Sequence, residues 1–232
     1  MTAADTGKRA AAEAAALLVE NGMVVGLGSG STMRYLIEAL GRRVRDEGLR
    51  LVGVPTSTET DALALTHGIT LAEPGAAPIT LAIDGADELE RGTLRLIKGL
   101  GGALLREKIV AEAARRFVVI ADGSKLVDHL GARSPLPVEV VRFGHEATAR
   151  RIADLGGRPV LRRVRGGTVF VSDGGNLFYD CSGFAPIRDP FTLQRELRAI
   201  AGVVETGLFP CHAESALIGL ADGSVTTLTR IA

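Results

Sequence analysis

Short apolar runs alternate with longer stretches of helical periodicity along the first half of the chain. MVVGL (23–27) predicts a strand, followed by a glycine–hydroxyl turn and a helix through about Leu40. LRLVGVP (49–55) predicts a second strand, and the polar run after Pro55 leads into a second helix. ITLAID (79–84), TLRLIK (93–98) and RFVVIAD (116–122) predict three more strands. ALLREKIVAEAARR (103–116) predicts a helix, with Leu105, Ile109 and Ala113 as its apolar face at i, i+4 spacing. Strands that alternate with helices in this way build a largely parallel α/β sheet.

Pro135 and Pro137 mark a stiff connection, after which the pattern changes. Strands at 138–143, 158–163, 168–172, 177–180 and 203–209, with helices at 145–155 and 190–200, give a module of ferredoxin-like β-α-β-β-α-β order with one additional strand at its centre. The tail predicts a hairpin turned at Asp222-Gly223. The expected fold is thus α/β, a Rossmann-like, mainly parallel sheet domain (1–132 and 207–232) plus a smaller ferredoxin-like α+β lid domain (133–206).

Composition changes this picture little. The chain has 232 residues, 46% hydrophobic and only 4% aromatic, so it buries an aliphatic core. Equal numbers of basic and acidic residues remove the electrostatic reason to expect nucleic acid or an anionic membrane as partner. No apolar run approaches a span, and the Ala-rich start, interrupted by Glu13, predicts an amphipathic helix rather than a signal peptide. Two cysteines, Cys181 and Cys211, make no disulfide framework, which fits a reducing, cytoplasmic setting; both are expected to serve packing. The four histidines are scattered, without ligand spacing, so no metal is expected.

Candidate chemistry gathers where strands end, the place where open α/β sheets bind ligands. The first strand runs into Ser29-Gly30-Ser31-Thr32. The glycines at 26, 28 and 30 match neither a dinucleotide fingerprint nor a P-loop. Hydroxyls at a helix N-terminus suit a single phosphate, and equally an ordinary helix cap. The stretch DGADELERGTLRLIKGLGGALLREK then offers Asp84 and Asp87 beyond one strand, Lys98 at the end of another, a glycine loop, and Glu107 on an early helical turn. These residues read as an acid–base site, with capping and solvated positions as the plainer alternative. ADGSK (121–125) adds Lys125.

GLGSGST, DGADE, KGLGGALLREK and ADGSK, in this order, together with LPVEV and GVVETGLF, resemble the A-type ribose-5-phosphate isomerases over nearly the whole chain. That resemblance implies interconversion of D-ribose 5-phosphate and D-ribulose 5-phosphate in the non-oxidative pentose phosphate pathway, without metal or organic cofactor, by a homodimer. It implies substrate contacts at Ser29, Gly30, Ser31 and Thr32, at Asp84, Gly85, Ala86 and Asp87, at Lys98, Gly99, Leu100 and Gly101, and at Lys125. Leu100 stands where the family commonly has glycine. Glu107 falls on the general base. Asp84 is the candidate for ring opening, and Asp87 for orienting hydroxyls and holding Lys98. Lys8 is a further phosphate candidate. Rival readings are an aminosugar-phosphate deaminase-like isomerase, which should show a histidine in the site loops, and a sugar-phosphate-sensing domain without turnover, which should carry a DNA-binding helix-turn-helix before the first strand. A dinucleotide-binding protein is disfavoured by the glycine spacing.

Overall fold

The computed structural model describes residues 2–210 and 212–230, so Cys211 lies outside the described residues. In chain order the elements are α1 (Ala3–Ala16), β1 (Val24–Leu27), α2 (Ser31–Glu47), β2 (Val52–Pro55), α3 (Thr58–Thr66), β3 (Thr70–Leu71), β4 (Leu81–Asp84), β5 (Glu88–Glu90) and β6 (Leu96–Ile97). There follow α4 (Leu104–Ala113), β7 (Phe117–Asp122), a 3₁₀ turn at Gly123–Lys125, β8 (Leu126–Val127), β9 (Leu136–Val140), α5 (His145–Asp154), β10 (Arg158–Leu161), β11 (Leu177–Ser182), α6 (Pro190–Arg198), β12 (Val203–Thr206), β13 (Leu208–Phe209), β14 (Ser215–Gly219) and β15 (Val225–Thr229).

The main sheet has seven strands in the order β15-β14-β7-β4-β1-β2-β3, all parallel except β15. The chain winds outward from β1 in one direction through β2 and β3, then returns to place β4 on the other side. The crevice at the carboxyl ends of β1 and β4 is therefore a topological switch point, the usual ligand position in such sheets. Helix α1 opens on a capping box between Thr2 and Asp5 and buries Gly7, Ala11, Ala12, Ala15 and Ala16. These small side chains let it lie close to the sheet: a Cβ on Gly7 would come within 2.6 Å of the Gly219 carbonyl oxygen. The tail hairpin turns where expected, with Gly223 at φ 85°.

The second sheet has the order β10-β11-β9-β12, all pairs antiparallel, from a chain order of β-α-β-β-α-β. The expected strand at 168–172 forms only isolated bridges, Arg163 to Val169 and Val171 to Leu177.

Three further expectations are corrected. TLRLIK does not join the parallel sheet. The chain reverses after β5 through a turn containing Gly92 and Leu94, the latter at φ 55°, so β6 runs antiparallel in a third sheet ordered β13-β6-β5-β8. Strand β5 was hidden by its glutamates; Glu88 is buried because it accepts backbone N–H groups from Gly131, Arg133 and Ser134 at 2.6–2.7 Å. The strand expected at 203–209 breaks at Gly207 into β12 and β13, which belong to different sheets. A Cβ at Gly207 would lie 2.2 Å from the Lys98 carbonyl oxygen, so only glycine fits this crossing.

The third correction concerns α4. Ile109 and Ala113 face outward and Leu105 is half-buried. The buried residues are Leu104, Glu107, Lys108, Val110 and Ala111, of which Leu104, Glu107, Lys108 and Ala111 stand at i, i+3, i+4 and i+7. Two charged side chains are inside because each finds an opposite charge there: Glu107 finds Lys98, and Lys108 finds Glu205 of β12.

Candidate active site

At the end of β1, Gly28 leaves room for Asp84. A Cβ there would sit 2.0 Å from Asp84 Oδ1. Asp84, the last residue of β4, is 3% exposed and accepts the Gly85 and Ser29 amides on Oδ1, at 2.7 and 3.2 Å. Lys98 reaches the same point from the third sheet rather than from a parallel neighbour. Its backbone amide is held by the Gly207 carbonyl at 2.9 Å. Its ammonium lies 3.1 Å from Asp84 Oδ2 and 3.3 Å from Glu107 Oε1, and donates to the Gly85 carbonyl at 2.6 Å. Glu107 enters from the first turn of α4, 6% exposed. Its second oxygen, Oε2, is buried with no hydrogen-bond partner among the described residues.

Two carboxylates and one ammonium in a dry pocket leave one negative charge in excess. Burial pushes the Glu107 carboxyl up to about 8; repulsion from Asp84 adds to this, and Lys98 opposes it. Burial also raises Asp84, against the pull of Lys98 and two amides. Lys98 is raised: burial disfavours its charge, but Asp84, Glu107 and Asp87 outweigh that. A carboxylate poised near neutrality with one bare oxygen is what a general base requires.

Asp87 does not hold Lys98 directly. Its Oδ2 accepts the Leu100 amide at 2.8 Å, and it acts on Lys98 only at longer range. The glycine loop takes its positive φ angles at Gly99 (105°) and Gly102 (83°), while Leu100 adopts an ordinary conformation, so its departure from glycine is harmless to the backbone. Ala86 is half-buried and packs against an apolar cluster that includes Leu89, Val119 and Phe209.

The hydroxyl loop divides into two parts. Ser29 Oγ is tied into a cluster with Thr56 and Ser57, both at 2.8 Å, and with Thr60 at 3.3 Å. Thr60 in turn donates to the Gly28 carbonyl. This hydroxyl cluster at the end of β2 was not singled out from sequence, because its members meet only once β1 and β2 pair. Gly30, at φ 102°, is the N-cap of α2 and supplies no side-chain cap. The ordinary-cap alternative therefore fails here. The first amides of α2 stay open beside the exposed Ser31 and the mostly buried Thr32, which favours an anion.

Lys125 stands in the 3₁₀ turn after β7, half-buried, and makes no hydrogen bond to the Ser29–Thr32 loop. Lys8 lies on α1, which packs against β7 and touches the 3₁₀ turn. The second sheet also reaches the crevice. Asp173, in the turn that precedes β11, accepts the Thr58 amide at 2.8 Å and lies 3.4 Å from Arg106. Among the described residues no three His, Cys, Asp or Glu side chains gather as a metal-ligand group.

Residues 52–223 match the family model described as Ribose 5-phosphate isomerase A (phosphoriboisomerase A). The chain is 55% identical over 218 residues to Ribose-5-phosphate isomerase A of Gluconobacter oxydans, covering 93% of this chain and 94% of that protein. It is 41% identical to the solved ribose 5-phosphate isomerase A of Methanocaldococcus jannaschii, with a TM-score of 0.91 and coverage of 96% and 98%. A D-ribose-5-phosphate isomerase solved in complex with phospho-erythronic acid is 37% identical, with a TM-score of 0.92 and coverage of 96% and 97%. With the family model matching residues 52–223 and relatives of 41–55% identity covering nearly the whole chain, the chain belongs to the ribose 5-phosphate isomerase A family.

Proposed function

We propose that the chain interconverts D-ribose 5-phosphate and D-ribulose 5-phosphate, the reaction for which its family is named, with Glu107 moving the proton. The observation that carries the assignment of the base is the Glu107 carboxylate itself, anchored on Lys98 through one oxygen and unpartnered at the other. Glu107 takes the proton from C2 of the open aldose and returns it to C1 of the enediolate. The ammonium of Lys98 stabilises the oxygen on which negative charge develops, in a pocket from which water is largely excluded. The closed sugar ring must open first. Asp84, raised by burial and linked to Lys98, is the group that exchanges the ring-opening proton.

The phosphate sits on the open N-terminus of α2, against Ser31 and Thr32, with Ser29 shaping the loop from beneath. Lys125 and Lys8 lie toward the β7 side, positions from which they add positive potential to the anion. Phospho-erythronic acid, solved in complex with the 37% identical relative, joins a phosphate to a carboxylate that resembles the enediolate oxygens, which supports a sugar phosphate as the substrate. The place between Asp84 and Glu107 where a divalent ion would sit holds the Lys98 ammonium, which supports a reaction without metal.

Residues 133–206 serve as the lid domain, touching the crevice through Asp173. The family resemblance supports a homodimer in the cytoplasm; no helix among the described residues is long and apolar enough to cross a membrane. The direct test is formation of ribulose 5-phosphate from ribose 5-phosphate in excess chelator. Full turnover is expected, and turnover that returns only with added divalent ion would overturn the metal-free reading.

A further inference from the structure

Arg162 follows β10 in the second sheet, far in sequence from Asp84, Lys98 and Glu107. Its side chain is only 10% exposed and forms an ion pair with Asp180 of β11. Nε donates to Asp180 Oδ2 at 3.0 Å, and Nη2 pairs with Oδ1. The guanidinium packs against two rings, 4.6 Å from the Phe178 centroid and 5.6 Å from that of Phe170. Ion pair and rings together fix its plane.

The remaining nitrogen, Nη1, crosses to the glycine loop. It donates to the Gly99 carbonyl at 2.8 Å and the Leu100 carbonyl at 3.1 Å. Peptide units are planar and trans, so holding a carbonyl also aims the N–H of the next residue to the opposite side. The Gly99–Leu100 unit is clamped at both ends, since its N–H goes to Asp87. The Leu100–Gly101 unit is held only at its carbonyl, and the Gly101 amide has no acceptor among the described residues. Phe170 presses on the loop as well: a Cβ on Gly102 would lie 2.2 Å from its Cζ.

We propose that Arg162 is a positioning residue for the isomerisation: it fixes the peptide planes of Gly99–Gly101, so that the Gly101 amide is presented to the developing oxyanion beside Lys98. This rests on the isomerase reading above. Two flexible glycines flank these units, at 99 and 102. Without the guanidinium the loop keeps its place through Asp87, Lys98 and the Gly102 amide on the Gly99 carbonyl at 3.0 Å, but the central Leu100–Gly101 plane loses the fixed direction of its free donor. An interaction made only with the oxyanion lowers kcat when lost and leaves ground-state binding alone.

The test uses the full-length enzyme and two variants. Arg162→Gln removes the charge, and Arg162→Lys keeps a cation opposite Asp180 but cannot pair with it and hold two carbonyls at once. In each folded variant kcat should fall roughly tenfold to a hundredfold, as expected for a donor misplaced by about 1 Å, with the KM for ribose 5-phosphate within about threefold of the native value. Affinity for phospho-erythronic acid should fall in parallel with kcat. A kcat within twofold of native in either folded variant, or a loss confined to KM, would overturn the proposal. If the native enzyme fails to isomerise ribose 5-phosphate, the isomerase reading itself is lost, so the two failures are distinguishable.

Discussion

Lys98 and Lys108 are both buried, with side chains 3% and 2% exposed, and both pair with a glutamate. They approach the same ring, Phe209, at 5.8 and 4.8 Å from its centroid. They titrate in opposite directions. Burial disfavours the charge on each, but Lys98 faces Asp84, Glu107 and the more distant Asp87, and is raised. Lys108 faces Glu205 with Arg198 opposing, and is lowered. The neighbouring charges, not the depth, decide the sign. Lys98 is a permanent cation at the point where negative charge appears. Lys108 is a strut, bound to Glu205 and the Thr206 carbonyl at 2.8 Å each, that ties α4 to the second sheet next to the residue carrying the base.

The largest effect should come from the lysine in the crevice. Lys98→Met should lower kcat about a thousandfold, or ~4 kcal/mol, the upper end for one lost oxyanion donor. It should also move the pH dependence. The base must be deprotonated, so kcat/KM rises with pH through the Glu107 value near 8. Lys98 holds that value down, and its removal should shift the rising limb to higher pH. A limb that stays in place would mean that another group titrates.

The strut should give a smaller effect of a different kind. Lys108→Met leaves Glu205 buried with the Thr206 amide on Oε1 and, as its one remaining cation among the described residues, the half-exposed Arg198 at 3.5 Å. Stability measured by urea unfolding should fall by about 3 kcal/mol, the lower end for a broken buried pair. Adding Glu205→Gln should restore most of it, and folded protein should lose much less kcat than Lys98→Met. A thousandfold kcat loss in folded Lys108→Met would erase the distinction between the two lysines. The smallest effect lies at the phosphate end, where Lys125 makes no hydrogen bond to the Ser29–Thr32 loop. Ser31→Ala combined with Thr32→Ala should raise KM roughly tenfold to a hundredfold, ~1.5–3 kcal/mol, with kcat largely kept. An unchanged KM would remove the phosphate from this loop.

The same two lysines mark how far the sequence could be read. Asp84, Lys98 and Glu107 were legible because they stand at strand ends or just past a glycine loop, within 25 residues of one another. Strands β1, β2, β4 and β7 were legible as short apolar runs. Lys108 was not, because the apolar spacing of Leu105, Ile109 and Ala113 suggested a buried face that in fact meets solvent. Its partner is 97 residues away, and nothing local signals that a charged pair outcompetes an aliphatic stripe. The place of Lys98 depended on the reversal at Gly92–Leu94, which turns an apparent parallel strand into an antiparallel one. Arg162 and the Thr56–Ser57–Thr60 cluster carry no motif; their roles exist only once separate strands have paired.

The central claim is that Glu107 is the base, and one variant tests it most directly. Glu107→Gln keeps the size of the side chain and its contact with Lys98 but cannot accept the proton. Turnover and deuterium uptake by the sugar would be measured together in heavy water, alongside native enzyme. kcat should fall by about 10²–10⁴-fold; deuterium should enter the sugar at the transferred position with native enzyme and at a correspondingly lower rate with the variant, while ribose 5-phosphate still binds. Near-normal turnover with deuterium still entering the sugar would contradict the account and move the base to Asp84 or Asp87.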